Sequence, residues 1–229
     1  MKLIQKTSLL FAGLFCLFFA VNASAEVMPY MSLKAADTKV KNDVFSYDSS
    51  MGAKWAVGAS VWENKIGSLR TELEYGSSSS SYYFYSGKDQ GDAHDNEDRA
   101  SQLETDSFLF NMYFDFNTGT IFTPYVGAGI GVTNASMDYN FKSGKYSIPE
   151  SRFADWKMSW NIGAGVGVAL TKNLTLDLGY RYSDLGHFGG YAGLYKDDYQ
   201  AGSTWRVDED HRDYDLTSHE VMVGVRYTF

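Results

Sequence analysis

Two short groups of residues combine the side chains that a serine hydrolase uses. A serine becomes a nucleophile when a histidine accepts its proton and a carboxylate orients that histidine. The groups are Ser183, Asp184 and His187, and Ser218, His219 and Glu220. Closeness in sequence does not supply the hydrogen-bond geometry that such a mechanism needs, and a rim of polar residues explains both groups as well. We predict no catalytic residue.

Two acidic runs raise the question of divalent cation binding. They comprise Asp89, Asp92, His94, Asp95, Glu97 and Asp98, and further along the chain Asp208, Glu209, Asp210, Asp213 and Asp215. Neither run has the ligand spacing of an EF-hand loop, and acidic loops are usually solvated. We therefore predict no metal site and no cofactor.

The N-terminus has the pattern of a secretory signal peptide, which we assign to residues 1–25. Its parts are Lys2 and Lys6, the apolar residues 9–21, and the small residues Ala23, Ser24 and Ala25. The only cysteine, Cys16, follows the bulky Phe15, so a lipoprotein signal is not expected. Residues 26–229, assigned to one domain, then contain no thiol. This excludes a disulfide scaffold and a thiolate metal site.

The rest of the chain is dominated by strand patterns. Apolar and polar residues alternate over about ten positions, as in strands that cross an outer membrane. Eight such runs occur, at residues 29–36, 52–62, 68–76, 107–117, 123–133, 157–170, 174–183 and 219–229. The alternation also explains why a chain that is 44% apolar has a mean hydropathy of only −0.30.

The connections between these runs alternate strictly in length. The connections at residues 63–67, 118–122 and 171–173 are short, whereas those at 37–51, 77–105, 134–156 and 184–218 are long and polar. Short periplasmic turns and long extracellular loops on an even number of strands are typical of bacterial outer-membrane barrels. The fold class predicted is all-β, an eight-stranded antiparallel up-and-down transmembrane barrel.

The two faces of the predicted strands differ. Large apolar residues, such as Leu73, Phe110, Ile162, Leu176 and Val223, occupy the face assigned to lipid, and Ala59 in the run 52–62 is assigned to the same face. The other face carries glycines and five cations with five anions. These charged residues are Lys34, Lys54, Arg70, Arg181 and Arg226, with Glu72, Glu74, Asp115, Asp177 and Glu220. Because an unpaired charge in a low-dielectric interior costs several kcal/mol, we predict that they form a lumenal ion-pair network.

Four segments resemble the small outer-membrane β-barrel superfamily, which includes opacity-type proteins, rickettsial-type surface antigens and the OmpA transmembrane domain. They are LRTELEYG (69–76), FTPYVGAGIGV (122–132), NLTLDLGYRYSDLG (173–186) and VMVGVRYTF (221–229). The resemblance implies an eight-stranded barrel inserted by the barrel-assembly machinery. That machinery reads a C-terminal aromatic residue preceded by alternating apolar residues, here Val221, Val223, Val225, Tyr227 and Phe229.

These features predict an integral outer-membrane protein of a Gram-negative bacterium, either structural or a surface antigen or adhesin that acts through its loops. The expected partners are membrane lipid and lipopolysaccharide, the barrel-assembly machinery, and a host or cell-surface ligand, with no nucleic acid. Two alternatives remain. A lipid A-modifying enzyme needs a serine and a histidine that meet at the rim, and a narrow pore needs an open lumen.

Overall fold

The computed structural model describes residues 27–41, 50–86, 97–143, 146–191, 194–196, 205–207 and 211–229. Residues 1–26 lie outside this part of the chain, so the signal peptide stays a prediction. The strands are β1 (Met28–Lys41), β2 (Ser50–Glu63), β3 (Gly67–Ser86), β4 (Glu97–Phe116), β5 (Phe122–Ser143), β6 (Tyr146–Ala169), β7 (Leu174–Tyr191), β8 (Leu194–Lys196), β9 (Trp205–Val207) and β10 (His211–Thr228). Within the described residues, no helix has the length and apolar character needed to cross a membrane.

Eight of the described strands close into one antiparallel barrel. Their order around the barrel is β1, β10, β7, β6, β5, β4, β3, β2, and β1 pairs with both β2 and β10 to complete the ring. The two short strands β8 and β9 pair only with each other, in the connection between β7 and β10. The predicted fold class, an eight-stranded antiparallel barrel, is confirmed.

The connections at one end of the barrel are tight turns held by side-chain hydrogen bonds. Asn64 Oδ1 accepts hydrogen bonds from the backbone N–H groups of Ile66 (2.8 Å) and Gly67 (3.0 Å). Thr171 Oγ1 accepts in the same way from Leu174 (3.0 Å). Gly119, in the turn between β4 and β5, has a φ of 68°, which an L-residue rarely adopts. These polar residues therefore end the strands within a few positions.

At the opposite end the strands run much further than predicted. β3 and β4 remain paired out to Ser86 and Glu97, and β6 is 24 residues long, whereas about 9–11 residues cross a bilayer. Much of the four predicted long connections is therefore strand. The reason is that two strands can stay paired in water without large apolar residues on their outer face. The alternation of apolar and polar residues therefore marks only the part of each strand that contacts lipid.

The two faces of the barrel wall follow the prediction closely. Phe110, Ile162 and Val223 are exposed on the outer wall, while Asn111, Asn161 and Gly224 alternate with them on the inner face. Ala59, assigned to the lipid face of β2, is only 1% exposed, and this part of the prediction is wrong. It lies in register with Pro29 and Thr71 beside the bulge between Ser60 and Trp62. A methyl group there does not project beyond its neighbours.

Candidate functional site

The lumen contains all ten charged residues that the sequence pattern assigns to it. Nine of them are buried, and the side chain of Lys34 is 11% exposed. Each is positioned by the period-two alternation of its strand, which turns every second side chain inward. Five cations and five anions therefore share one interior, and their contacts form three groups along the barrel.

The first group lies nearest the short turns and is centred on Arg70. Its guanidinium contacts both carboxylate oxygens of Asp115, with Nη2 2.9 Å from Oδ1, and this two-bond geometry is among the strongest in proteins. Arg226 lies between two anions: its Nη1 is 3.6 Å from Asp115 and its Nε is 3.3 Å from Asp177. Two cations thus neutralise two anions.

The second group fills the middle of the lumen. Lys34 Nζ contacts Glu72 at 2.8 Å and Glu74 at 2.9 Å. Arg181 donates to both oxygens of Glu74 and, at 3.1 Å, to the hydroxyl of Tyr113. That hydroxyl in turn donates to Glu72 at 2.9 Å. The two positive and two negative charges balance, and the Tyr113 hydroxyl connects Arg181 with Glu72 by hydrogen bonds.

The third group lies towards the long-strand end. Lys54 Nζ is 2.8 Å from Glu220 Oε1, which also accepts a hydrogen bond from the hydroxyl of Thr38 at 3.4 Å. Arg181 Nη1 approaches Glu220 Oε2 only to 3.8 Å, beyond hydrogen-bond distance. Glu220 Oε2 therefore has no hydrogen-bond partner among the described residues.

Three tyrosine rings fill the space between the charges, and none of the three was among the predicted site residues. Tyr30 donates to Glu72 at 3.1 Å, and Tyr125 packs edge-on against Tyr113 with ring centroids 5.6 Å apart. The Arg70 guanidinium lies 4.8 Å from the Tyr113 ring centroid, a cation–π distance. Tyr30 lies on the same inward face of β1 as Ser32 and Lys34, and this spacing of two residues is the signal that could have identified it.

Inward glycines provide the room for these rings. A Cβ at Gly165 would lie 2.5 Å from the Tyr125 hydroxyl oxygen, so any larger residue there displaces the ring. The glycines of β5 and β6 therefore mainly accommodate tyrosine and asparagine side chains, because the charged groups reach each other from other strands.

The two groups of hydrolase-type residues are divided by the barrel wall. Ser183 and Ser218 are register partners and both are buried on the inner face. His187 is exposed and contacts Asp215, whereas His219 faces the outer wall, where its Nδ1 is 2.6 Å from the Tyr180 hydroxyl. The structure brings neither serine to a histidine. Ser218 and His219 are neighbours in β10 and point to opposite faces. His187 follows Ser183 by four positions, and a register shift that skips Leu185 in the pairing of β7 with β10 separates the exposed histidine from the buried serine.

The acidic runs lie mostly outside the described residues. Among the side chains that the structure describes, no group of three histidine, cysteine, aspartate or glutamate residues is arranged to hold a metal ion.

The predicted assembly signal forms the outer face of β10 up to the chain end. Its five residues, Val221, Val223, Val225, Tyr227 and Phe229, are all exposed. The rings of Tyr227 and Phe229 contact each other edge-on, and the Phe229 N–H donates to the Pro29 carbonyl at 3.0 Å. This end of β10 is thus part of the seam that closes the barrel against β1.

Aromatic residues form a row on the outer wall towards the long-strand end. Successive ring contacts link Trp55, Tyr75, Phe108 and Trp156, with centroids 4.9–5.9 Å apart. Aromatic side chains of this kind concentrate at the headgroup level of a membrane. The sequence pattern placed Trp156 at the end of the connection 134–156, because the alternation of apolar and polar residues becomes clear only after it.

A closed barrel with an apolar outer wall and paired charges inside is an integral membrane β-barrel, because a continuous apolar outer wall is stable against lipid and not against water. The chain belongs to the outer membrane protein β-barrel domain family, whose model matches residues 7–229. This confirms the resemblance drawn from the four sequence segments. The protein is therefore located in the outer membrane of Gram-negative bacteria.

Several known proteins are similar to this chain. Outer membrane protein PagN of Salmonella typhimurium is 28% identical over 56% of this chain, and the match spans about half of PagN (52%). An uncharacterised protein of Brucella abortus is 30% identical, covering 82% of this chain and 73% of that protein.

Solved structures share the fold. Neisserial surface protein A superposes with a TM-score of 0.54 at 21% identity, covering 88% of this chain and 97% of the other. The outer membrane protease OmpT of Escherichia coli gives a TM-score of 0.51 at 10% identity, covering 91% and 99%. Because one of these barrels is a protease, the fold by itself does not exclude an enzyme.

Proposed function

We propose that this protein is a non-enzymatic surface protein whose lumen is closed and whose partners bind at its extracellular end. We orient the barrel with both termini and the short turns in the periplasm, so that the long ends of the strands project from the cell. The observation that supports the proposal best is the lumenal ion-pair network. Its side chains and the intervening tyrosines occupy the interior of an eight-stranded barrel, which is only wide enough for side chains.

A closed lumen predicts that the purified protein produces no steady ionic current in planar lipid bilayers. The physical reason is that the paired side chains fill the middle of the lumen. Lys34 contacts Glu72 and Glu74 at 2.8 and 2.9 Å, and Arg181 contacts Glu74 at 2.5 Å. Single-channel recording of the reconstituted barrel measures this. Large and reproducible unitary currents would favour a narrow pore instead.

A surface role predicts that binding to host cells depends on the loops between the strands. Deletion of residues 87–96, which lie outside the described residues, should reduce adherence of bacteria that express the protein while the barrel itself remains assembled. Replacement of the three-residue turn 64–66 by Gly-Asn-Gly is the control, since that turn lies at the opposite end. Equal adherence by both variants would contradict the proposed role of this loop.

The separation of Ser183 from His187 and of Ser218 from His219 supports the absence of hydrolase activity. A direct assay is hydrolysis or transfer of lipid A acyl chains by the purified protein. If the protein has such an activity and loses it when His187 or His219 is changed to alanine, the proposal is wrong and the protein is a lipid-modifying enzyme.

A further inference from the structure

Above the ion pairs, the inner face of the barrel changes from charged to hydroxyl-bearing and then to apolar residues. The same step occurs on four strands. Moving towards the long-strand end, Thr38 is followed by Val40 on β1, Thr133 by Ala135 on β5, Ser183 by Leu185 on β7, and Ser218 by Leu216 on β10. Because inward positions recur every second residue, these pairs form two successive layers.

The apolar layer is a compact cluster in the lumen, which we call the collar. Its members are Val40, Leu103, Ala135, Leu185, Phe188 and Leu216, and all six are buried. They come from β1, β4, β5, β7 and β10, so the collar is built from side chains on several sides of the barrel. All six lie in segments that the sequence pattern assigned to polar connections.

A small cavity lies beneath the collar. Its volume is about 20 Å³, and hydroxyl residues, Lys54 and Glu220 line it together with the collar residues Val40 and Leu185. A single water molecule needs a cavity of roughly 10–15 Å³ and two to four polar partners. The cavity therefore has the size and the lining for one water molecule.

Two buried atoms at this cavity have no hydrogen-bond partner among the described residues. They are Ser218 Oγ and Glu220 Oε2, from adjacent inward positions of β10. Ser218 is 1% exposed and Glu220 is 5% exposed, so bulk solvent does not satisfy them. A buried polar atom without a partner is costly, and ordered water is the usual means of satisfying it.

We propose that this cavity binds one ordered water molecule, hydrogen-bonded to Ser218 Oγ and Glu220 Oε2, and that the collar separates it from external water. A cation is disfavoured there because the Lys54 ammonium already lies 2.8 Å from the Glu220 carboxylate. This site lies inside the barrel and does not depend on what the loops bind.

A high-resolution crystal structure tests the water directly. We expect density for one water molecule in contact with both Ser218 Oγ and Glu220 Oε2, and loss of that density in Ser218→Val, whose side chain fills the space without a hydroxyl group. An empty cavity, with Arg181 moved into hydrogen-bond distance of Glu220 Oε2, would overturn the proposal.

Thiol labelling in lipid nanodiscs tests the collar. Both ends of the barrel are accessible to the reagent in a nanodisc, so the result does not depend on how the barrel is oriented in the membrane. In a Cys16→Ala background, Ser183→Cys should stay unlabelled by a small water-soluble maleimide in the time that labels Asp215→Cys completely. Asp215 is the matched control because its side chain is 60% exposed.

Truncating the collar with Phe188→Ala and Leu216→Ala should make Ser183→Cys reactive. Leu216→Ala alone is the milder variant if the double change prevents folding. The role of the collar is refuted if Ser183→Cys is labelled as fast as Asp215→Cys while the collar is intact, or if it stays unlabelled in the truncated, folded barrel.

Discussion

Replacing Arg181 with methionine is expected to lower the free energy of unfolding by about 3–5 kcal/mol, the usual cost of removing one partner from a buried ion pair. Arg181 is 1% exposed and contacts Glu74 through two nitrogens. Without Arg181, the two carboxylates of Glu72 and Glu74 share a single cation, Lys34, in the middle group of the described lumen. Guanidinium-induced unfolding of the barrel in lipid vesicles measures the change.

Two comparisons separate burial of the charge from other effects of the substitution. Glu74→Gln combined with Arg181→Met should recover most of the lost stability, because the remaining charges of Lys34 and Glu72 balance. Lys157→Met removes an ion pair of similar length, 2.7 Å to Asp155, but both partners are partly exposed. An exposed pair of this kind contributes about 0–1 kcal/mol. If Arg181→Met and Lys157→Met unfold alike, the lumenal network is not a major source of stability.

Replacing Phe229 with serine is expected to produce a severe loss of assembled barrel in the outer membrane. The resemblance to small outer-membrane barrels implies that the assembly machinery reads this terminal aromatic residue. In the structure its ring lies on the outer wall next to Tyr227, at the β1–β10 seam. The amount of heat-modifiable protein in outer-membrane fractions, compared with total protein, measures assembly.

Phe116→Ser is the matched control, because Phe116 is also an exposed aromatic residue next to a short turn but belongs to β4. It should assemble nearly normally. Purified Phe229→Ser should also insert into lipid vesicles nearly as well as the native chain, which distinguishes lost recognition from lost stability. Equal assembly of both variants in cells would mean that Phe229 carries no special signal.

The number of barrel strands and the orientation of most side chains were predictable from the sequence. A strand in a membrane barrel must present every second residue to lipid, so the pattern of β4, with Phe108, Phe110 and Met112 alternating with Leu109 and Asn111, is visible in one dimension. The short turns were predictable for the same reason, since polar residues interrupt that pattern for only a few positions.

The lengths of the strands and the collar were not predictable in this way. Beyond the membrane, lipid no longer requires an apolar outer row, and residues such as Leu103 and Leu216 appear as isolated apolar positions in polar segments. Only closure of the barrel shows that they converge on one core. Ala59 differs from its prediction for a related reason, because the neighbouring bulge and strands decide how far a small side chain is exposed.

The sequence by itself determined the charged residues of the lumen: five cations and five anions on inward positions, with glycines beside them. Only the tertiary structure decided which of these charges meet, since Arg181 and Glu74 are 107 positions apart and contact each other across the barrel. The stagger between strands sets such contacts, and it arises from closing the whole ring. The tertiary structure also separated the buried Ser183 from the exposed His187, because the pairing of β7 with β10 skips Leu185, whereas in a regular strand two residues four positions apart share a face.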